Sequence, residues 1–227
     1  MQQSIGTLQE SSLHASLKQW YSKTGDLVET DVDGSVVDLV RGNLCIEIQT
    51  RNFSAIKKKI TALLSKHPVR VVYPVPLERF IVRIDINTDK VISRRKSPKR
   101  GSFLDIFSEL VRITQLVKYE NFSIEVLMIK EEQIWLNDGK GSWRRKGWSI
   151  SDRRLIEVLG SKLFLSPDDY KKLLPSGLSE TFTVTDLVKA IQHPRRNISK
   201  MAYCLREIGV IELVGKKGRA YLYRVKE

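Results

Sequence analysis

The chain has 227 residues, 41% of them apolar, with 39 Lys and Arg against 26 Asp and Glu for a net charge of +13. Such a length holds one large domain or two modest ones, and no stretch approaches the roughly 18 apolar residues of a membrane span. Two cysteines, Cys45 and Cys204, exclude a disulfide framework and a zinc-finger spacing. With a polar first segment unlike a signal peptide, the expectation is a cytoplasmic protein, and the basic excess along the chain points to a polyanion such as nucleic acid, not a membrane.

Leu13, Leu17, Trp20 and Tyr21 recur at helical spacing and predict a helix over 7–22, ended by Thr24-Gly25-Asp26. Glu10 lies on the same stripe, with His14 one turn on. Asp33-Gly34 and Gly42-Asn43 are two-residue hairpin signals, because their central positions need positive φ. Counting outward from the first turn sets Asp31 against Val36 and Glu29 against Asp38; from the second, Val40 faces Cys45 and Asp38 faces Glu47. Glu29, Asp38 and Glu47 would then form a row across three strands, with neighbouring Cβ atoms about 4.5–5.5 Å apart. Gln49 shares the face of Glu47, while Leu44, Ile46 and Ile48 face the other side. Like charges opposite one another destabilise a sheet, and a divalent cation such as Mg²⁺, which takes one or two carboxylates with waters and phosphates, would offset them.

Ile56, Ile60, Leu63 and Leu64 predict a helix over 53–65, and the β-branched run 69–75 a buried strand, so a right-handed crossover joins 44–50 in parallel to 69–75. A further strand is expected over 80–86. Arg94, Arg95, Lys96, Lys99 and Arg100 form a basic loop leading into a helix over 102–118, a suitable phosphate contact. Segments 124–129 and 133–136 read as a closing pair of strands. In the polar loop 137–148, Trp143 and Trp148 bracket Arg144, Arg145 and Lys146, basic residues interleaved with rings that suit a nucleic-acid backbone.

The pattern changes near residue 173. A short helix capped by Thr183 spans 183–191, His193-Pro194 breaks it, and a second helix follows over 197–208. Strands 210–214 and 220–225 flank Lys216, Lys217 and Arg219. Two helices and a basic-tipped hairpin make a winged helix: Ser199, Lys200, Tyr203 and Arg206 face outward after Arg195 and Arg196, suited to the major groove, with the hairpin on adjacent phosphates.

Asp38, eight residues, then Glu47-Ile48-Gln49, after a helical Glu10 and before a crossover helix, resembles the PD-(D/E)XK nuclease superfamily over roughly residues 7–75. The resemblance implies an α/β (α+β) restriction-endonuclease-like core, a mixed sheet flanked by helices. It further implies Asp38 and Glu47 as ligands of Mg²⁺ or Mn²⁺, Gln49 as the third element in place of the usual Lys, and Glu10 or Glu29 completing the shell. The amide of Gln49 can position a water but brings no charge; Lys57 or a neighbouring Lys would restore one. The expected organisation is a nuclease-like domain over 1–136, a basic connecting segment with a helix over 137–172, and a winged-helix DNA-binding domain over 173–227. The function this implies is metal-dependent DNA endonuclease activity. The alternative is a non-catalytic DNA-binding regulator whose α/β domain serves dimerisation or ligand sensing. RNA is an open alternative to DNA as polyanion. Cutting two strands suggests a homodimer, with no interface legible in the sequence.

Overall fold

The computed structural model describes residues 11–226. Helix α1 (Ser12–Tyr21) starts at Ser11, whose side chain accepts from the His14 N–H, satisfying one of the first-turn donors. It buries Leu13, Leu17 and Tyr21. Trp20, expected on that stripe, is 51% exposed. Three strands follow, β1 (Leu27–Val32), β2 (Ser35–Arg41) and β3 (Leu44–Ile48). Their turns keep the counted register, with Asp31 opposite Val36 and Val40 opposite Cys45. Helix α2 (Phe53–Leu63) then carries the chain to β4 (Val69–Ile84), and β3 pairs with β4 in parallel, the expected crossover.

Beyond this point the sheet is longer than its sequence suggested. Runs 69–75 and 80–86 are one strand, β4. Pro74 and Pro76 do not break it, because β3 leaves β4 after Val72 and β5 (Val91–Lys96) joins only at Phe80. A proline lacks an N–H and is tolerated where an edge is unpaired. Arg94, Arg95 and Lys96 therefore lie on a strand, not in a loop. The helix expected over 102–118 is instead two 3₁₀ turns, Phe103–Ile106 and Thr114–Lys118, around the short α3 (Phe107–Leu110). The closing pair 124–129 and 133–136 is a single strand, β6 (Phe122–Leu136), parallel to β4 along its length. Its other neighbour is β7 (Ser149–Phe164), antiparallel. The middle of the supposed connecting segment 137–172 thus belongs to the main sheet, whose order is β1-β2-β3-β4-β6-β7 with β5 on the far half of β4.

The expected helix of that segment is α4 (Pro167–Lys171). Then come β8 (Thr181–Phe182), α5 (Val184–Ile191), α6 (Arg195–Glu207), β9 (Ile211–Lys217) and β10 (Ala220–Val225), with a second sheet ordered β8-β10-β9. Thr183 caps α5 as expected, in a capping box with Asp186.

Each face of the main sheet carries a core. On one, α1 packs over Leu39, Ile46, Ile48, Val72, Leu127 and Ile129. The other is continuous from Phe53, Ile60, Val71 and Phe107 to Tyr170, Phe182, Leu187, Met201 and Leu205. The C-terminal unit therefore shares its core with the sheet. Tyr170 bridges them, stacked on Phe164 at 4.6 Å. Among the described residues no helix is long and apolar enough to cross a membrane.

Candidate functional site

The acidic row forms only in part. Register on either side sets Glu29 opposite Asp38, but Glu29 adopts φ +47 and its carboxylate pairs with Lys18 Nζ at 2.5 Å, with 60% of the side chain exposed. Across from it, Val37 joins one core and Leu39 the other, so the alternation of β2 breaks at Asp38. This break turns the Asp38 carboxylate toward β3, where Oδ2 accepts the Ile48 N–H at 2.8 Å and meets His14 Nε2 at 3.2 Å. Burial raises the acid's pKa, yet the bonds from His14 and Ile48 outweigh it and hold the carboxyl below its ordinary value.

Glu47, one strand over, is 4% exposed. Burial, and then the charge of Asp38, push its pKa up, opposed by Lys59. Lys59, on α2, brings Nζ to 2.6 Å from Glu47 Oε1, an ion pair outside the geometry of a directed hydrogen bond. Sequence reasoning pointed to Lys57 or a neighbour; α2 presents Lys59, which also donates to the Val36 carbonyl. Gln49 is committed elsewhere. Its Nε2 donates to the carbonyls of Arg51, at 2.5 Å, and Asn52, at 3.1 Å, bracing the turn into α2. Among the described residues no three His, Cys, Asp or Glu side chains converge as a metal cage; Glu10 lies outside the described residues.

Beyond Gln49 the sheet opens. Between the end of β3 and the Lys96 end of β5, residues 73–79 of β4 have no strand partner on that edge, and there a cleft of about 600 Å³ is lined by Thr50, Arg51, Tyr73, Arg79 and Arg153, among others. Glu47 and Tyr73 lie on the same face, since Glu47 is level with Val71 in the parallel register. Burial and then the charges of Glu109 and Asp105 push the Tyr73 hydroxyl up to about 12, so it is neutral at physiological pH. Two arginines of the lining are held by fully buried Glu131, whose Oε1 takes Arg79 Nε at 2.6 Å and whose Oε2 takes Arg153 Nη2 at 2.6 Å. Nothing local in Lys130-Glu131-Glu132 announced this.

The basic residues divide. Lys99, Arg196 and Lys200 line the cleft. Arg94 pairs with Glu132 and stacks on Phe80, and Lys96 pairs with Glu78, while Arg95 and Arg100 are exposed beside them. Arg145 bonds the Trp148 carbonyl, and the Trp148 ring takes Arg83 at 4.8 Å. Trp148 therefore anchors its loop, while Trp143 is 82% exposed with Arg144 at its ring. Arg195 binds Thr185 Oγ1. Lys216, Lys217 and Arg219 are exposed on the β9–β10 hairpin. On α6, Ser199 and Tyr203 face solvent as expected, but Lys200 turns to the cleft and Arg206 pairs with Glu207 at 2.7 Å.

Residues 11–164 match the family described as "Domain of unknown function (DUF8091)". The chain belongs to the DUF8091 family. The DUF8091 match ends at Phe164, the last residue of β7, so it takes in the whole main sheet, the acidic pair and Lys59. A protein of Treponema pallidum (strain Nichols) described as "Uncharacterized protein" is 34% identical over 223 residues, covering 97% of this chain and 87% of its own. No solved structure matches.

Proposed function

We propose that this DUF8091 protein is a metal-dependent DNA endonuclease of PD-(D/E)XK type, cytoplasmic, with the C-terminal unit acting as a winged helix. The observation that carries the reading is the pairing of partly buried Asp38 with buried Glu47, and Lys59 at Glu47, beside a cationic cleft. The residues present suit Mg²⁺ or Mn²⁺. Two carboxylates are the usual protein share of such a site, and a divalent charge would offset the burial and the Asp38 charge that push the Glu47 pKa up. When bound, the metal supplies an acidified water and a counter-charge for phosphate oxygens.

The chain's own residues do the rest. Asp38 is oriented by Ile48 N–H and His14, as a residue around a metal ligand fixes its direction. Lys59 brings the positive charge that Gln49 lacks, and it can stabilise charge that develops on a phosphate. Gln49 acts structurally, holding the turn that carries Arg51. The order α4-β8-α5-α6-β9-β10 supports the winged-helix reading, with Lys216, Lys217 and Arg219 at the wing on the phosphate backbone.

The test is incubation with labelled duplex, single-stranded, flapped and four-way DNA, and their RNA counterparts, in Mg²⁺, Mn²⁺ or EDTA, alongside Glu47→Ala. Cutting that needs metal and vanishes in the variant supports the reading; binding without cutting in every condition overturns it. A second reading, a DNA-binding regulator, is favoured by one observation: both carboxylates already have protein partners, Ile48 N–H and His14 on Asp38 and Lys59 on Glu47. A regulator binds equally well in chelator.

A further inference from the structure

The cleft at the fork of β4 brings together charges from distant parts of the chain. Arg51 comes from the turn after β3, Arg79 from β4, Lys99 from the segment after β5, Arg153 from β7, and Arg196 and Lys200 from α6. Against these six cations the lining holds one carboxylate, Asp105. Asp105 is already engaged: Asn197 Nδ2 donates to it at 2.8 Å and His193 Nε2 lies at 3.5 Å. That contact also fixes the first turn of α6 over the cleft.

The pairing of Arg79 and Arg153 is built rather than incidental. Glu131 is fully buried and holds both guanidiniums, with Arg153 bidentate on one oxygen and Arg79 on the other. Gln133, also of the lining, donates to Glu131 at 3.4 Å and accepts from Trp135 Nε1 at 3.3 Å, so the network continues along β6. One carboxylate between two arginines leaves a net positive charge. Their remaining N–H groups form planar forks that match phosphate oxygens. Fixing them beforehand lowers the ordering cost of binding.

Volume narrows the ligand. About 600 Å³ is the size of a site for one small organic ligand, enough for a nucleotide unit and too small for a duplex. We propose that this cleft is a phosphate site for a nucleotide unit, either free or within a single strand, closed jointly by the main sheet and α6. The wing and the exposed cations of the β5 region are then separate surfaces. This inference stands on the cleft alone and does not require Asp38 and Glu47 to be catalytic.

The experiment is fluorescence anisotropy of the full chain with a short labelled oligothymidylate, competed by unlabelled strand, ADP, pyrophosphate and a hairpin duplex. Arg196→Gln with Lys200→Gln is expected to weaken binding about tenfold or more and to flatten the logarithmic salt slope by about 1.4, two contacts at about 0.7 each. Arg51→Gln, on the opposite wall, should weaken it without touching α6. Lys90→Gln, an exposed charge in the β4–β5 turn, should change nothing. Displacement by ADP and pyrophosphate assigns a free nucleotide, displacement by strand alone assigns a single strand, and either upholds the site. Cleft variants that bind like the native chain, a native chain that holds only the duplex, or no binding of any probe would each overturn it. A chain that binds here and cuts nothing keeps the cleft and sinks the nuclease; one that cuts normally with both walls neutralised does the reverse.

Discussion

Lys59 Nζ lies 2.6 Å from Glu47 Oε1, so the cation at the acidic pair comes from α2 and not from the strand position that Gln49 occupies. If the pair is catalytic, Lys59→Met should cut cleavage sharply, Glu47→Ala should abolish it, and Gln49→Ala should act mainly through a looser turn. Glu47→Ala should leave DNA affinity equal or slightly tighter, because a negative charge near phosphate is lost. Binding and cleavage measured on the same preparations separate these outcomes.

Lys59→Met also leaves a buried carboxylate without its counter-charge. Breaking such a pair costs about 3–5 kcal/mol, and the lower end applies because Lys59 is partly exposed. Adding Glu47→Gln should recover much of that loss, since removing both charges avoids the orphaned one. Urea unfolding of the three variants checks the cycle.

The two carboxylates should give opposite pH signatures. The pKa of Glu47 is raised in the fold, so its native form takes up a proton first and stability rises as pH falls through that pKa toward the unfolded value of about 4.3. That of Asp38 is lowered; its contribution is present above the unfolded value of about 3.9 and is lost as pH drops through the folded one. Thermal melts between acid and neutral pH should show the first trend flattened in Glu47→Gln and the second reduced in Asp38→Asn.

Glu131→Ala should destabilise by about 3–5 kcal/mol, because it strands Arg79 and Arg153 together. At roughly 2–4 °C per kcal/mol for a chain of this size, the melting temperature should fall by roughly 6–20 °C. A small shift would mean that the two guanidiniums relax to solvent without cost.

Gly101→Ala probes the wall beside the fork. An added Cβ would stand 2.6 Å from both the Pro76 carbonyl oxygen and Val75 Cγ1, and Gly101 N–H donates to that same carbonyl at 2.9 Å. Overpacking of this kind costs about 1–3 kcal/mol, and the displaced segment should carry Lys99 away from the cleft. Calorimetry with the anisotropy assay reads both effects.

A chain stopped after Lys172 should not give a stably folded main-sheet unit. It would expose Phe107, Leu110 and Tyr170, which share a core with Leu187, Met201 and Leu205. Soluble monomer with a cooperative melt would show that the two parts fold independently.

Turn chemistry and periodicity alone were enough for the elements from α1 to the start of β4. Asp33-Gly34 and Gly42-Asn43 set their registers because positive φ is a local demand, and the parallel crossover followed from spacing. The helix-strand pattern after residue 173 was legible for the same reason. What the tertiary structure decided depends on partners distant in sequence. Lys130-Glu131-Glu132 reads as a turn until Arg79 and Arg153 neutralise Glu131 and let β6 run on. Runs 69–75 and 80–86 read as two strands until β3 and β5 are seen to pair with different halves of one strand, β4. Asp38 counts into a row with Glu29 until the alternation of β2 breaks and aims it at Ile48. Likewise, the cation at Glu47 and the α6 residues over the cleft became visible only once α2 and the C-terminal unit were docked, because side-chain direction across packed elements is set by the core and not by the local sequence.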